Sequence, residues 1–118
     1  EEKAVALKDK KIIFNALEKY SDCGYFNATI NLARCYITGF GTKPNYEKGL
    51  QLLRRLECFK DPSVYCDIGS TLLFKSSASE AKKYLTYAAE HGEVGAYFGL
   101  GLLYLGGGIQ QVVGNRNV

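Results

Sequence analysis

The chain has 118 residues, of which 47% are hydrophobic and 23% charged, with a formal net charge of +3. That length and balance suit one domain with a buried core, and so weak a charge gives no argument for nucleic acid. No apolar run approaches the length that crosses a bilayer, so direct membrane insertion is not expected.

The basic groups Lys8, Lys10, Lys11 and Arg54, Arg55 fall on predicted helices and read as solvated faces. No methionine occurs, position 1 included, so the start is expected to be a cut end. Residues 1 to 7 read as the frayed end of a preceding element. A first helix is predicted from about Lys10 to Cys23, capped by Asp9 and closed by Gly24, with a partner from roughly Tyr25 to Ile37. The loop from Thr38 to Pro44 holds Gly39 and Gly41, both suited to positive φ. Asn45 then caps a helix of about Tyr46 to Phe59, which carries Leu50, Leu53 and Leu56. Asp61 and Pro62 turn the chain into a helix from Ser63 to Phe74. Across the link from Lys75 to Ser77, a capping box of Ser77 and Glu80 opens a helix from Ala78 to His91. Gly92 breaks it, and a last helix runs from about Val94 to Leu105. After Gly106, Gly107 and Gly108 the residues to Val118 show no clear period.

These elements repeat. Ala81, Tyr84, Ala88, Ala89, Gly92, Ala96, Leu100, Gly101 and Tyr104 form a helical hairpin whose contact positions are small, so that two backbones approach closely. Upstream, Ala28, Leu32, Ala33, Tyr36, Gly39 and Gly41 reproduce its second helix and exit loop. Gly49 and Leu52 stand at the Ala81 and Tyr84 positions, and Ile68, Gly69 and Leu72 repeat Leu32, Ala33 and Tyr36. Gly49 to Ile68 and Ala81 to Leu100 are both 19 residues apart, and the periods are 36 and 32. Periods in this range mark stacked helix pairs, so an all-α fold of about three antiparallel pairs is expected. It is read as one domain over residues 1–118, with the repeat frame at about 9–108 and residues 109–118 as a tail or the start of a further unit.

The spacing Ala-x-x-x-Leu-Gly-x-x-Tyr-x-x-Gly-x-Gly, followed by Asp-x-x-Lys-Ala-x-x-Trp-x-x-x-Ala-Ala-x-x-Gly, is that of the Sel-one-like repeat, a relative of the tetratricopeptide repeat. This chain resembles it from about Asp9 to Gly108, through the frame residues above with Asn45 and Lys48. The middle turn departs, with Leu56, Glu57 and Lys60 where Ala, Ala and Gly are usual. The resemblance implies a right-handed α/α superhelix, a solenoid, used as an adaptor or scaffold for other proteins. It also implies that the second helix of each pair lines a concave face. The residues left over for a partner protein or peptide on that face are Asn27, Asn31, Arg34 and Thr38, then Ser63, Asp67, Ser70 and Phe74, then Gly95, Gly99 and Leu102. Tyr65 lies beside the stripe as an aromatic anchor, whereas Tyr97 and Phe98 are expected to fill gaps between repeats.

Reaction chemistry finds little support in the residues. His91, the only histidine, precedes Gly92 in a last helical turn, where a cation or a carbonyl cap is favoured, and no nucleophile stands at a recognisable spacing. Cys23, Cys35, Cys58 and Cys66 contain no Cys-x-x-Cys pair, so no metal site and no cofactor are expected. Cys58 and Cys66 are symmetric about Pro62, so across an antiparallel hairpin they can meet. A similar Cys-x7-Cys pair marks a secreted, cysteine-rich bacterial branch of the family, although both cysteines here sit one residue off its register. The alternatives are a Cys58–Cys66 disulfide, which would tilt the location toward periplasm, ER lumen or cell exterior, and four small thiols. Asn27, Ala28 and Thr29 form a glycosylation sequon.

The leading expectation is a non-enzymatic protein-binding scaffold, including an adaptor or inhibitor of a secreted effector. Two alternatives stand beside it: a weak hydrolase or penicillin-type ligand binder like the cysteine-rich relatives, and a structural piece of a longer solenoid.

Overall fold

The computed structural model describes residues 2–75 and 77–106, and all regular structure among them is helical. The helices are α1 (Glu2–Asp22), α2 (Phe26–Thr38), α3 (Tyr46–Arg55), α4 (Pro62–Phe74), α5 (Ala78–Glu90) and α6 (Ala96–Gly106), with a 3-10 turn at Glu57–Phe59. The chain divides after Leu56 into two compact units, residues 1–56 and 57–118. In the first, α2 packs against both α1 and α3. In the second, α5 packs against α4 and α6.

The first helix starts earlier than its spacing predicts. Asp9 lies inside α1 and is not its cap, because residues 2–11 are mostly Glu, Lys, Ala and Leu, strong helix formers with no Gly or Pro to interrupt them. Gly24 closes α1 in the left-handed region at φ 95°. Phe14 is buried and meets the ring of Tyr36 edge-on at 5.4 Å. The hydroxyl of Thr29 donates to the Tyr25 carbonyl at 3.2 Å, so its single proton is used and Ser21 must donate to it at 2.7 Å. Thr29 is thus the buried end of the sequon, whose Asn27 is exposed.

Gly39 ends α2 at φ 82°, its N–H and that of Phe40 both donating to the Cys35 carbonyl. Gly41, at φ 76°, tucks the loop against α1, and a Cβ there would lie 2.5 Å from the Lys10 carbonyl oxygen. The Lys10 ammonium rests over the Phe40 ring at 5.5 Å. Asn45 caps α3 as expected, its side chain accepting the Lys48 N–H at 3.1 Å. Helix α3 then stops at Arg55 and not at Phe59: Leu56 bonds back to Leu53, and Lys60 takes φ 59°. Lys60 thus occupies the left-handed position where the repeat pattern has glycine.

Asp61 caps α4, its carboxylate accepting from the Ser63 N–H at 2.8 Å and hydroxyl at 2.7 Å. Both bonds favour the charged form, the hydroxyl bond most, and they hold the carboxyl below its ordinary value of 3.8. Ser77, by contrast, makes no side-chain cap to α5. Its backbone is pinned at φ −99°, ψ 65° with the N–H on the Leu72 carbonyl, outside the extended region from which a capping hydroxyl reaches the helix. The core of this unit includes Val64, Ile68 and Leu85, all fully buried. Gly92 turns the chain at φ 97°, and α6 begins at Ala96, two residues late, after a turn in which Ala96, Tyr97 and Phe98 each bond three residues back.

Candidate partner-binding surfaces

In the first unit a groove of about 380 Å³ is lined by Ile13, Leu17, Asn31, Arg34, Cys35, Thr38 and Phe40. Three of the residues selected from sequence therefore come together here. Asn31 donates to the Asn27 carbonyl at 3.0 Å and Thr38 to the Arg34 carbonyl at 2.8 Å, so both lie along their own helix as a polar edge. Asn27 is exposed in the first turn of α2. The apolar wall escaped the sequence reading, although Ile13 and Leu17 are spaced four apart and share a helix face. Cys35 is buried, and burial pushes its thiol up from the ordinary value, which makes it a small apolar wall element and not a nucleophile.

In the second unit the remaining selected residues are dispersed. Asp67 and Ser70 are half-buried on α4, and the Asp67 carbonyl accepts the Thr71 hydroxyl at 2.8 Å. Phe74 ends α4 with 60% exposure, and Leu102 of α6 is 39% exposed. Tyr65 belongs to an aromatic cluster, 5.3 Å from the ring of Tyr84 and 4.4 Å from that of Tyr87. The Tyr84 hydroxyl donates to a Glu57 carboxylate oxygen at 2.9 Å and the Tyr87 hydroxyl to the Lys60 carbonyl at 3.0 Å. These bonds tie the 3-10 turn to α5. His91 stacks on Tyr87 at 4.0 Å with Nδ1 2.8 Å from the Tyr87 carbonyl. A carbonyl only accepts, so Nδ1 carries the proton and the ring closes the end of α5.

Two expectations are corrected here, and one of the two cysteine alternatives is not met. Tyr97 and Phe98 do not fill gaps but are 61% and 76% exposed, because α6 turns Ala96 and Gly99 inward, the latter against Leu85. Gly99, counted with the partner stripe, is accordingly buried. No disulfide joins Cys58 and Cys66. Cys58 is exposed on the 3-10 turn, so the two are not face to face on paired helices, and the Cys66 sulfur points toward Gly95, where a Cβ would lie 3.9 Å away. Among the described residues no three His, Cys, Asp or Glu side chains gather as metal ligands, and no helix is long and apolar enough to cross a membrane. The glycine triplet from Gly107 onward and the tail 109–118 lie outside the described residues.

No protein-family model matches the chain, and no curated protein does. A crystal structure of a Sel1 repeat protein from Oxalobacter formigenes is similar at 28% sequence identity and a TM-score of 0.66, over 85% of this chain and 42% of that one. This chain thus spans less than half the length of that relative. Helix pairs in close contact through glycine and alanine, left-handed glycine turns between them and this similarity together give the chain the Sel1-like repeat fold, an all-α fold of the solenoid class.

Proposed function

We propose that the chain is a non-catalytic interaction scaffold that binds a partner protein or peptide through the exposed faces of α2, α4 and α6, the second helix of each pair. The observation that carries this reading is the α1–α2 groove, where an apolar wall of Ile13, Leu17 and Phe40 faces a polar edge of Asn31, Arg34 and Thr38. Such a pairing of apolar anchor and polar rim is what a peptide-binding surface needs. Asn27 extends the polar edge along α2, and Tyr65, Asp67, Ser70, Phe74 and Leu102 are the candidate residues within the second unit. The Sel1-like repeat fold supports a protein or peptide as the partner class, and an adaptor or inhibitor role toward a secreted effector is the specific form proposed.

The test is capture by the full chain from its native compartment, compared with Arg34→Ala and Asp67→Ala. Weaker capture at unchanged thermal stability supports the reading. Unchanged capture with lowered stability would mean that these side chains serve the fold and not a partner.

A further inference from the structure

The second unit holds a recess of about 310 Å³ lined by Glu57, Tyr65, Glu80, Lys83 and Tyr84. The lining residues include two of carboxylate type and one of ammonium type, so the lining is acidic by composition in a chain whose net charge is +3. The rings of Tyr65 and Tyr84 meet at 5.3 Å with their planes 56° apart, which makes a bent aromatic wall. Glu57 is fixed on that wall. Its carboxylate accepts the Tyr84 hydroxyl at 2.9 Å, and its carbonyl lies 3.5 Å from the Tyr65 hydroxyl.

An anion is repelled by the two carboxylates, and a neutral apolar group makes no bond to them. A cation satisfies both features of the lining, because aromatic faces and carboxylates attract positive charge. Among biological cations the guanidinium is planar, weakly hydrated and forked, so it stacks on a ring while its N–H edge meets a carboxylate; an ammonium is a strongly hydrated point charge. We propose that the recess of Tyr65, Tyr84, Glu57 and Glu80 binds the guanidinium of an arginine side chain on a partner peptide. Lys83 opposes the incoming charge and sets the ceiling on affinity. This site goes beyond the α1–α2 groove and does not depend on it.

The test uses the full chain and N-acetyl-arginine amide as probe, with the citrulline and lysine analogues as comparators, followed by NMR at the Tyr65 and Tyr84 rings. Saturable shifts at both rings are expected for arginine and none for citrulline, which has the same shape without the charge. Glu80→Gln weakens binding about threefold and Lys83→Gln strengthens it by a similar factor, the scale of an exposed charge pair. Equal binding of citrulline, tighter binding of lysine, no saturable shift, or identical affinity in the Glu80 and Lys83 variants would each overturn the proposal. Arg34→Ala leaves this titration unchanged, so the recess and the groove can fail separately.

Discussion

Gly49 on α3 lies directly against the backbone of Ala33 on α2: a Cβ at Gly49 would sit 2.9 Å from the Ala33 carbonyl oxygen and 2.7 Å from Cγ1 of Ile37. The second unit makes the matching contact with the glycine on the other helix. A Cβ on Gly69 of α4 would meet the Ala81 carbonyl oxygen at 3.2 Å and Cγ of Leu85 at 2.7 Å. Ala33 and Ala81 are both fully buried. One side of each close contact must lack a Cβ while the other carries only a methyl, and which helix supplies the glycine is interchangeable.

Gly49→Ala is therefore expected to destabilise the chain. Overpacking costs about 1–3 kcal/mol, and the better helix propensity of alanine returns at most about 1 kcal/mol. Gly101→Ala has the opposite expected sign, a gain of about 0.5–1 kcal/mol, because a Cβ there meets nothing within 4 Å. Urea unfolding of the two variants gives the comparison, and a shared sign would contradict the packing described.

Leu85 is wedged between two glycines, Gly69 of α4 and Gly99 of α6, and is fully buried. Leu85→Ala should cost about 3 kcal/mol through the cavity it leaves. Leu100, a frame position only half-buried, should lose clearly less on the same truncation. Thermal unfolding of the pair ranks them.

Lys60→Gly is expected to stabilise by about 1 kcal/mol, since it relieves a non-glycine residue at positive φ. The Tyr87 hydroxyl bonds the backbone carbonyl of residue 60 and is kept by the substitution. Denaturant midpoints of wild type and variant measure the gain; a loss would show that the lysine side chain outweighs its own strain.

Asp61 makes stability depend on pH in a definite direction. Its carboxyl is held below the ordinary value of 3.8, so the folded chain binds that proton more weakly than the unfolded one. The stabilisation is complete above the unfolded value and drains away as pH falls past it through the folded value. Asp61→Asn keeps an oxygen acceptor for the Ser63 N–H and cannot titrate, so its stability curve should be flatter between about pH 5 and pH 2. Parallel acid limbs for wild type and variant would refute this assignment.

Asn45→Ala should cost about 1 kcal/mol and Ser77→Ala close to nothing, because only the first side chain reaches a helix N–H. Both residues are of capping type. Comparing their unfolding free energies tests whether the cap geometry, and not the residue type, carries the effect.

What the chain determined by itself is the helical order and the contacts of small residues. Recurrence of Gly, Ala and Tyr at periods of 36 and 32 follows from backbone approach, a local requirement that each repeat states in its own residues. Glycine turns at 24, 39, 41 and 92 were legible for the same reason: positive φ is a property of one residue. Tertiary structure alone decided the rest. Whether Ser77 caps depends on how Leu72 holds its backbone, whether Cys58 faces Cys66 depends on where α3 stops, and whether Tyr97 and Phe98 are covered depends on the roll of α6 about Leu85. The groove of Ile13, Leu17 and Arg34 and the recess of Glu57, Tyr65 and Tyr84 likewise join residues far apart in the chain, so no periodicity records them. Spacing encodes which face of a helix a side chain shares, and only packing sets what that face meets.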